Sequence, residues 1–158
     1  MHSWRDLTPE PWLDDLALLL TRMSTDVPLA ALDVVEDPWD AARVRYDEEV
    51  AQATGRGYVV SAAEHVPTGR LVAMTRLEYP AARPACAWQD DTLVLREHRG
   101  HRLGMLVKAA NLRRLTQERP ATRRVHTWNA EENAHMLAIN VALGFRPAGV
   151  YASWQRRP

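Results

Sequence analysis

Residues 94–104 read Val94-Leu95-Arg96-Glu97-His98-Arg99-Gly100-His101-Arg102-Leu103-Gly104, and this run decides the fold. An apolar strand end (Leu93-Val94-Leu95) gives way to a short loop containing glycine, and a helix starts at once. The first turn of a helix carries unpaired backbone N–H groups and a partial positive charge, so it attracts phosphate. Glycine lets the backbone approach such a ligand without a Cβ in the way, and Arg99 and Arg102 can add charge-assisted hydrogen bonds.

Upstream, Thr8-Pro9-Glu10 has the form of a helix start, and Trp12, Leu16, Leu19 or Leu20 and Met23 recur at helical spacing, predicting a first helix over 9–22. Asp37-Pro38 repeats the start signal. Trp39, Ala42, Tyr46, Val50 and Ala53 then mark one face of a second helix, closed by Gly55 and Gly57. Strands are expected over 58–63 and 71–77, joined as a hairpin through Pro67-Thr68-Gly69, and a central buried strand over 85–95. Downstream the pattern predicts a helix over 102–118, with Leu103, Leu106, Val107 and Ala110 on its inner face. A strand over 124–128, a helix over 130–143 closed by Gly144, and a last strand over 148–154 complete the order. Such an order belongs to an α/β (α+β) domain around one mixed sheet.

At 158 residues, the chain has the length of one domain, 1–158. Net charge is zero but uneven: residues 1–95 hold 8 arginines against 16 acids, and residues 96–158 are basic by 8. The densest basic stretch, 96–124, suits a polyanionic ligand or a solvated helix face. The one cysteine, Cys86, excludes an intramolecular disulfide and fits a cytoplasmic protein; a buried packing role is expected for it. His98 and His101 lie three apart with no further Cys or His clustered nearby, so they are expected to shape the loop, and no metal is expected. The first residues lack the order of a signal peptide, and the apolar run 16–20 is too short to cross a bilayer.

The loop resembles the pyrophosphate loop of the GNAT (acyl-CoA N-acyltransferase) superfamily, which reads Arg or Gln, any, any, Gly, any, Gly or Ala. Arg99 and Gly104 match its ends; Arg102 stands at the usual middle glycine and Arg96 where proline is common. A second block agrees: Asn133, Asn140 and Gly144-Phe145 fall in the register of the family's last long helix. The runs Gln89-Asp90-Asp91-Thr92-Leu93-Val94 and Thr127-Trp128-Asn129-Ala130, with Met23-Ser24-Thr25-Asp26, are similar to the C-terminal half of tandem-GNAT proteins of high-GC bacteria.

The resemblance implies a sheet of about six strands with helices on both faces and a V-shaped splay between two parallel central strands. It implies acetyl-CoA or another acyl-CoA as co-substrate, held by Leu93, Val94, Arg99, Gly100, His101, Arg102, Leu103, Gly104, Asn129 and Asn133. A small-molecule amine would attack the thioester directly. Asp91 is the expected base, with Asp90, Glu97 and His126 behind it. Asn140 occupies the register of the family's tyrosine acid; it can donate a hydrogen bond but cannot protonate a thiolate, and Tyr151 or solvent is the expected substitute. Lys108 either helps neutralise a phosphate or is an ordinary exposed helix lysine. Trp88 and Trp128 flank the expected gap. Two other readings stand beside the enzyme: a GNAT-fold acyl-CoA sensor without catalysis, and a nucleic-acid surface over 96–124. The partners expected are the amine alone, with no nucleic acid and no membrane; the missing N-terminal half is compatible with a homodimer.

Overall fold

The computed structural model describes residues 1–26 and 35–150. Their sheet has five strands in the order β1-β2-β3-β4-β5: β1 (His2–Arg5), β2 (Arg56–His65), β3 (Arg70–Pro80), β4 (Cys86–Val94) and β5 (Arg124–His126). The first four pair antiparallel, whereas β5 runs parallel to β4. Helices α1 (Leu13–Asp26) and α2 (Ala41–Ala53) cover one face. On the other lie α3 (Leu103–Glu118) and α4 (Ala134–Ala142), with Gly104 of α3 against Ile139 of α4 and Val94 of β4. The fold is mixed α/β with helices on both faces, as expected. Of the strand expected over 148–154, residues 148–150 are not in a strand; its remainder, with Tyr151, lies outside the described residues. β5 is therefore the sheet's edge among the described residues.

Alternation along β2 divides the core. Tyr58, Val60 and Ala62 pack with Leu16, Leu19, Leu20 and Val44 of the first helix pair, while Val59 and Ala63 join clusters holding Leu115 and Val107 of α3. Buried on both faces, β2 reads as a continuous apolar run, the signature of a strand covered on two sides. Between them, Ser61 donates to Asn111 of α3, whose amide donates 2.9 Å to the Val59 carbonyl. These polar partners satisfy each other in a site that water cannot reach.

Several expectations shift. A 3-10 turn at Glu10–Trp12 precedes α1, which runs four residues beyond the expected end. The second helix starts after Asp40, not at Pro38, because the Asp40 carboxylate caps the Arg43 N–H at 2.7 Å. Its inner face is Val44, Glu48 and Ala51, and Tyr46 is 68% exposed. Glu48 is buried because it accepts the Thr8 N–H and hydroxyl and pairs with Arg45. Likewise α3 turns Leu106 outward and buries Gly104, Val107, Lys108, Asn111 and Leu115. β1 was not expected; it is short, and of its side chains only Trp4 is buried.

Candidate active site

Three rungs join β4 to β5: Cys86 with Arg124, Ala87 with Val125, and Trp88 with His126. Beyond Trp88 the two strands part, since β5 ends at His126 while β4 continues to Val94. The opening is a cleft of about 150 Å³. Gln89, Asp90 and Thr92 of β4 form one wall, Thr127 to Ala130 with Asn133 and Met136 the other, and Met23 and Lys108 also line it. Another depression, larger and more open, lies against Glu78, Arg83 and Trp88; residues 96–104 line neither hollow. Trp128 lines the cleft at 64% exposure, whereas Trp88 stacks on His126, ring centres 5.8 Å apart.

The loop after β4 leads directly into α3. Gly100 has φ +86° and Arg102 φ +58°, so the arginine adopts a left-handed conformation that a glycine takes with less strain. Arg102 closes the loop as a glycine would, at a backbone cost of about 1–2 kcal/mol. Among the described residues no side chain caps α3, whereas Asp40 caps α2 and Asn133 caps α4. Its first-turn amides are left to an outside acceptor. Gly104 is buried where a Cβ would come within 3.3 Å of Ile139 Cδ1, so its lack of a side chain serves helix packing.

Arg99 does not hang free. Its guanidinium donates to the Val94 carbonyl and to Asp26 at the end of α1, at 3.1–3.3 Å, and Arg96 reaches the same carboxylate. Arg99 thereby braces the loop against α1. His101 points its ring at the His98 carbonyl, 3.3 Å away, and the His98 ring packs at a tilt of 55° against His65. Among the described residues no group of three or more His, Cys, Asp or Glu is placed to hold a metal. Leu93 buries its side chain beneath α1 and α2, and Val94 and Leu103 are half-buried beside Val107. Cys86 is half-buried rather than buried, being at the strand's start.

On the α1/α2 side of β4, Asp91 meets a cluster. Arg76 is bound by Asp90 at 2.8 Å, Asp47 at 2.9 Å and Asp91 at 3.5 Å, and its guanidinium covers the Tyr58 ring. Asp91 is pushed up to about 6, first by burial, then by the charge of Asp90, with Arg76 opposing. A carboxylate with that affinity for protons can take one from an ammonium group near neutral pH. Pairing between β3 and β4 shifts register between Thr75 and Leu77. That irregularity lets Asp90 and Asp91, adjacent in sequence, both reach Arg76.

Among the described residues the Asn129 side chain bonds only Thr127, at 3.4 Å, and Asn133 is occupied in part by its cap to the Met136 N–H. Asn140 is buried on α4, and its Oδ1 has no partner among the described residues. Two cleft residues carried no functional reading from the sequence, or an open one. Gln89 is held through its amide nitrogen by Thr75 and the Arg76 carbonyl, leaving its buried Oε1 without a partner among the described residues. Lys108 is 1% exposed, so it is no ordinary surface lysine. The face expected from Leu103, Leu106, Val107 and Ala110 did not include it; the helical spacing of Gly104, Lys108, Asn111 and Leu115 is the signal that could have placed it inside.

Over 92% of its length the chain is similar, at 35% identity and TM-score 0.75, to a "Tandem GNAT protein from the clavulanic acid biosynthesis pathway", in its C-terminal half. The chain belongs to the GNAT superfamily. It spans 41% of that tandem protein's length. Two more distant GNAT-fold structures cover it almost entirely. One is a Trypanosoma brucei acetyltransferase (18% identity, TM-score 0.66, 98% of this chain and 100% of that one). The other is AAC(6')-Iy, solved with a bisubstrate analogue built on CoA (17%, 0.62, 100% of both chains). No family model and no curated protein matches the sequence. No helix among the described residues is long and apolar enough to cross a membrane.

Proposed function

We propose that this GNAT domain, 1–158, transfers an acyl group, acetyl in the simplest case, from acyl-CoA to a small-molecule amine by direct attack. One observation carries the reading: α3, whose start has no side-chain cap among the described residues, follows directly on β4 and sends Lys108 into the cleft where β4 and β5 have parted. Amides of Leu103 and Gly104, with Arg102 and Gly100 allowing close approach, suit a diphosphate. Beyond Trp88 the β4 backbone, which β5 no longer pairs, suits the amides of the pantetheine arm, and the buried Gln89 Oε1, without a partner among the described residues, is an acceptor for one of their N–H groups. Asn129 and Asn133 line the opposite wall. Asp91 takes the proton of the acceptor's ammonium. The protein's contribution is placement of the two reactants and management of their protons.

Asn140 favours a second reading, an acyl-CoA-binding module without turnover, because it cannot serve as an acid. A thermal-shift titration tests the shared premise. Acetyl-CoA at a hundredfold its dissociation constant should stabilise the fold by about 2.7 kcal/mol, and Arg99→Ala, which unties the loop from Asp26, should blunt the response. No shift with acetyl-CoA refutes both readings; thiol release with candidate amines then separates enzyme from binder. A steep salt dependence on any polyanion, without preference for CoA, would instead favour the nucleic-acid surface.

A further inference from the structure

Lys108, the only lysine in the chain, is the charged group that the reading above leaves without a task. It lies five residues into α3, about 7 Å along the helix from Leu103, on the path an arm would take from the loop back along β4. Its side chain shares the cleft wall with Gln89, Thr92 and Met136. Among the described residues no carboxylate pairs with its amine; the Phe145 ring lies 5.6 Å from Nζ. The acid lining the same cleft, Asp90, is bound to Arg76. The segment before α4 contributes neutral Trp128, Asn129 and Asn133. An ammonium group is costly to bury without a counter-ion, and a cleft that admits an anion supplies one.

We infer that Lys108 donates the proton to the sulfur leaving the acyl thioester, the task that Asn140 cannot perform. The inference rests on the acyltransferase reading. The acceptor nitrogen bonds to the thioester carbon, and the carbon–sulfur bond breaks with its electron pair on sulfur. Lys108 gives Nζ–H to that sulfur, forming the free thiol, and the neutral amine is reprotonated from solvent. Asp91, on the other side, holds the proton lost by the acceptor. Burial lowers the Lys108 ammonium to about 8, close to the ordinary thiol value of about 8.5. The proton therefore passes between groups of nearly matched affinity.

The test reads the sulfur itself and needs no acceptor. CoA is bound to the Cys86→Ser protein, and its thiolate absorbance is titrated against a desulfo-CoA reference. A cationic neighbour should lower the bound thiol by about 1 unit or more relative to free CoA. Adding Lys108→Met, or Lys108→Gln should the methionine variant fail to fold, should return it to the free value with desulfo-CoA affinity unchanged. An identical thiol titration with and without Lys108 overturns the inference while leaving acyl-CoA binding intact. Failure of CoA to bind the parent protein, measured by calorimetry, overturns the acyl-CoA reading and this inference with it. An acetyl group found on Lys108 after incubation with acetyl-CoA would also overturn it, by making the lysine an acceptor.

Discussion

Replacing Lys108 by methionine should stabilise the protein at neutral pH, and by an amount that fades as the solution becomes alkaline. Methionine keeps an unbranched side chain in a well-packed site and removes a buried charge. In the fold the ammonium is lowered from 10.5 to about 8 by burial alone. That difference corresponds to about 3 kcal/mol at pH 7, or roughly 6–12 °C in melting temperature for a chain of this size. The sign follows from proton counting. Below pH 8 both folded and unfolded chains hold the proton, and the full cost of burying it is present. Between 8 and 10.5 the unfolded chain holds a proton that the folded one has lost, so wild-type stability rises with pH. Above 10.5 neither state is charged there and the cost is gone. Methionine has no such dependence, so urea denaturation of both proteins from pH 7 to 10.5 should show their difference shrinking towards zero. A difference flat with pH, or a variant less stable by about 2 kcal/mol at pH 7, would refute the reasoning, the latter because it would mean the ammonium is paired.

Asp91→Asn should lower turnover by about 10²–10⁴-fold with acetyl-CoA affinity unchanged by calorimetry. In the parent protein kcat/KM should fall as pH drops through about 6, because the base works only when deprotonated; a profile flat from pH 5 to 7 would exclude Asp91. Arg102→Gly should separate stability from affinity. Relief of the left-handed arginine offsets the added freedom of glycine in the unfolded chain, for a net of about 0–1 kcal/mol in favour of the fold. Acetyl-CoA affinity should fall with loss of the guanidinium; destabilisation beyond about 1 kcal/mol would mean the arginine side chain holds the loop.

What could be read from the residues was what repeats or punctuates. The apolar runs of β2 and β3, Gly69 and Gly144 in positive-φ turns and the strand–glycine–helix order after Val94 all rest on local geometry. Burial decided by distant partners escaped. Glu48 is inside because Thr8 and Arg45 meet it, and Asn111 because Ser61 and the Val59 carbonyl do; hydropathy cannot anticipate either. Leu106 reads as a core residue, yet the inner face of α3 is taken by Gly104, Val107, Lys108, Asn111 and Leu115. In the site, the loop's position was legible, but the use of Arg99 as a brace was not, because Asp26 is 73 residues away along the chain. The pairing of Asp91 with Arg76 depends on a register irregularity that no pattern of residue types announces.

Because so few ladder bonds tie β5 to its neighbour, the last helix and its lead-in are fastened like a page at its spine. On the acyl-CoA reading, an arm laid along the open margin adds amide contacts of the kind that bind strands, becoming a borrowed rung. Occupancy would then tighten that margin, and a departing product would loosen it again.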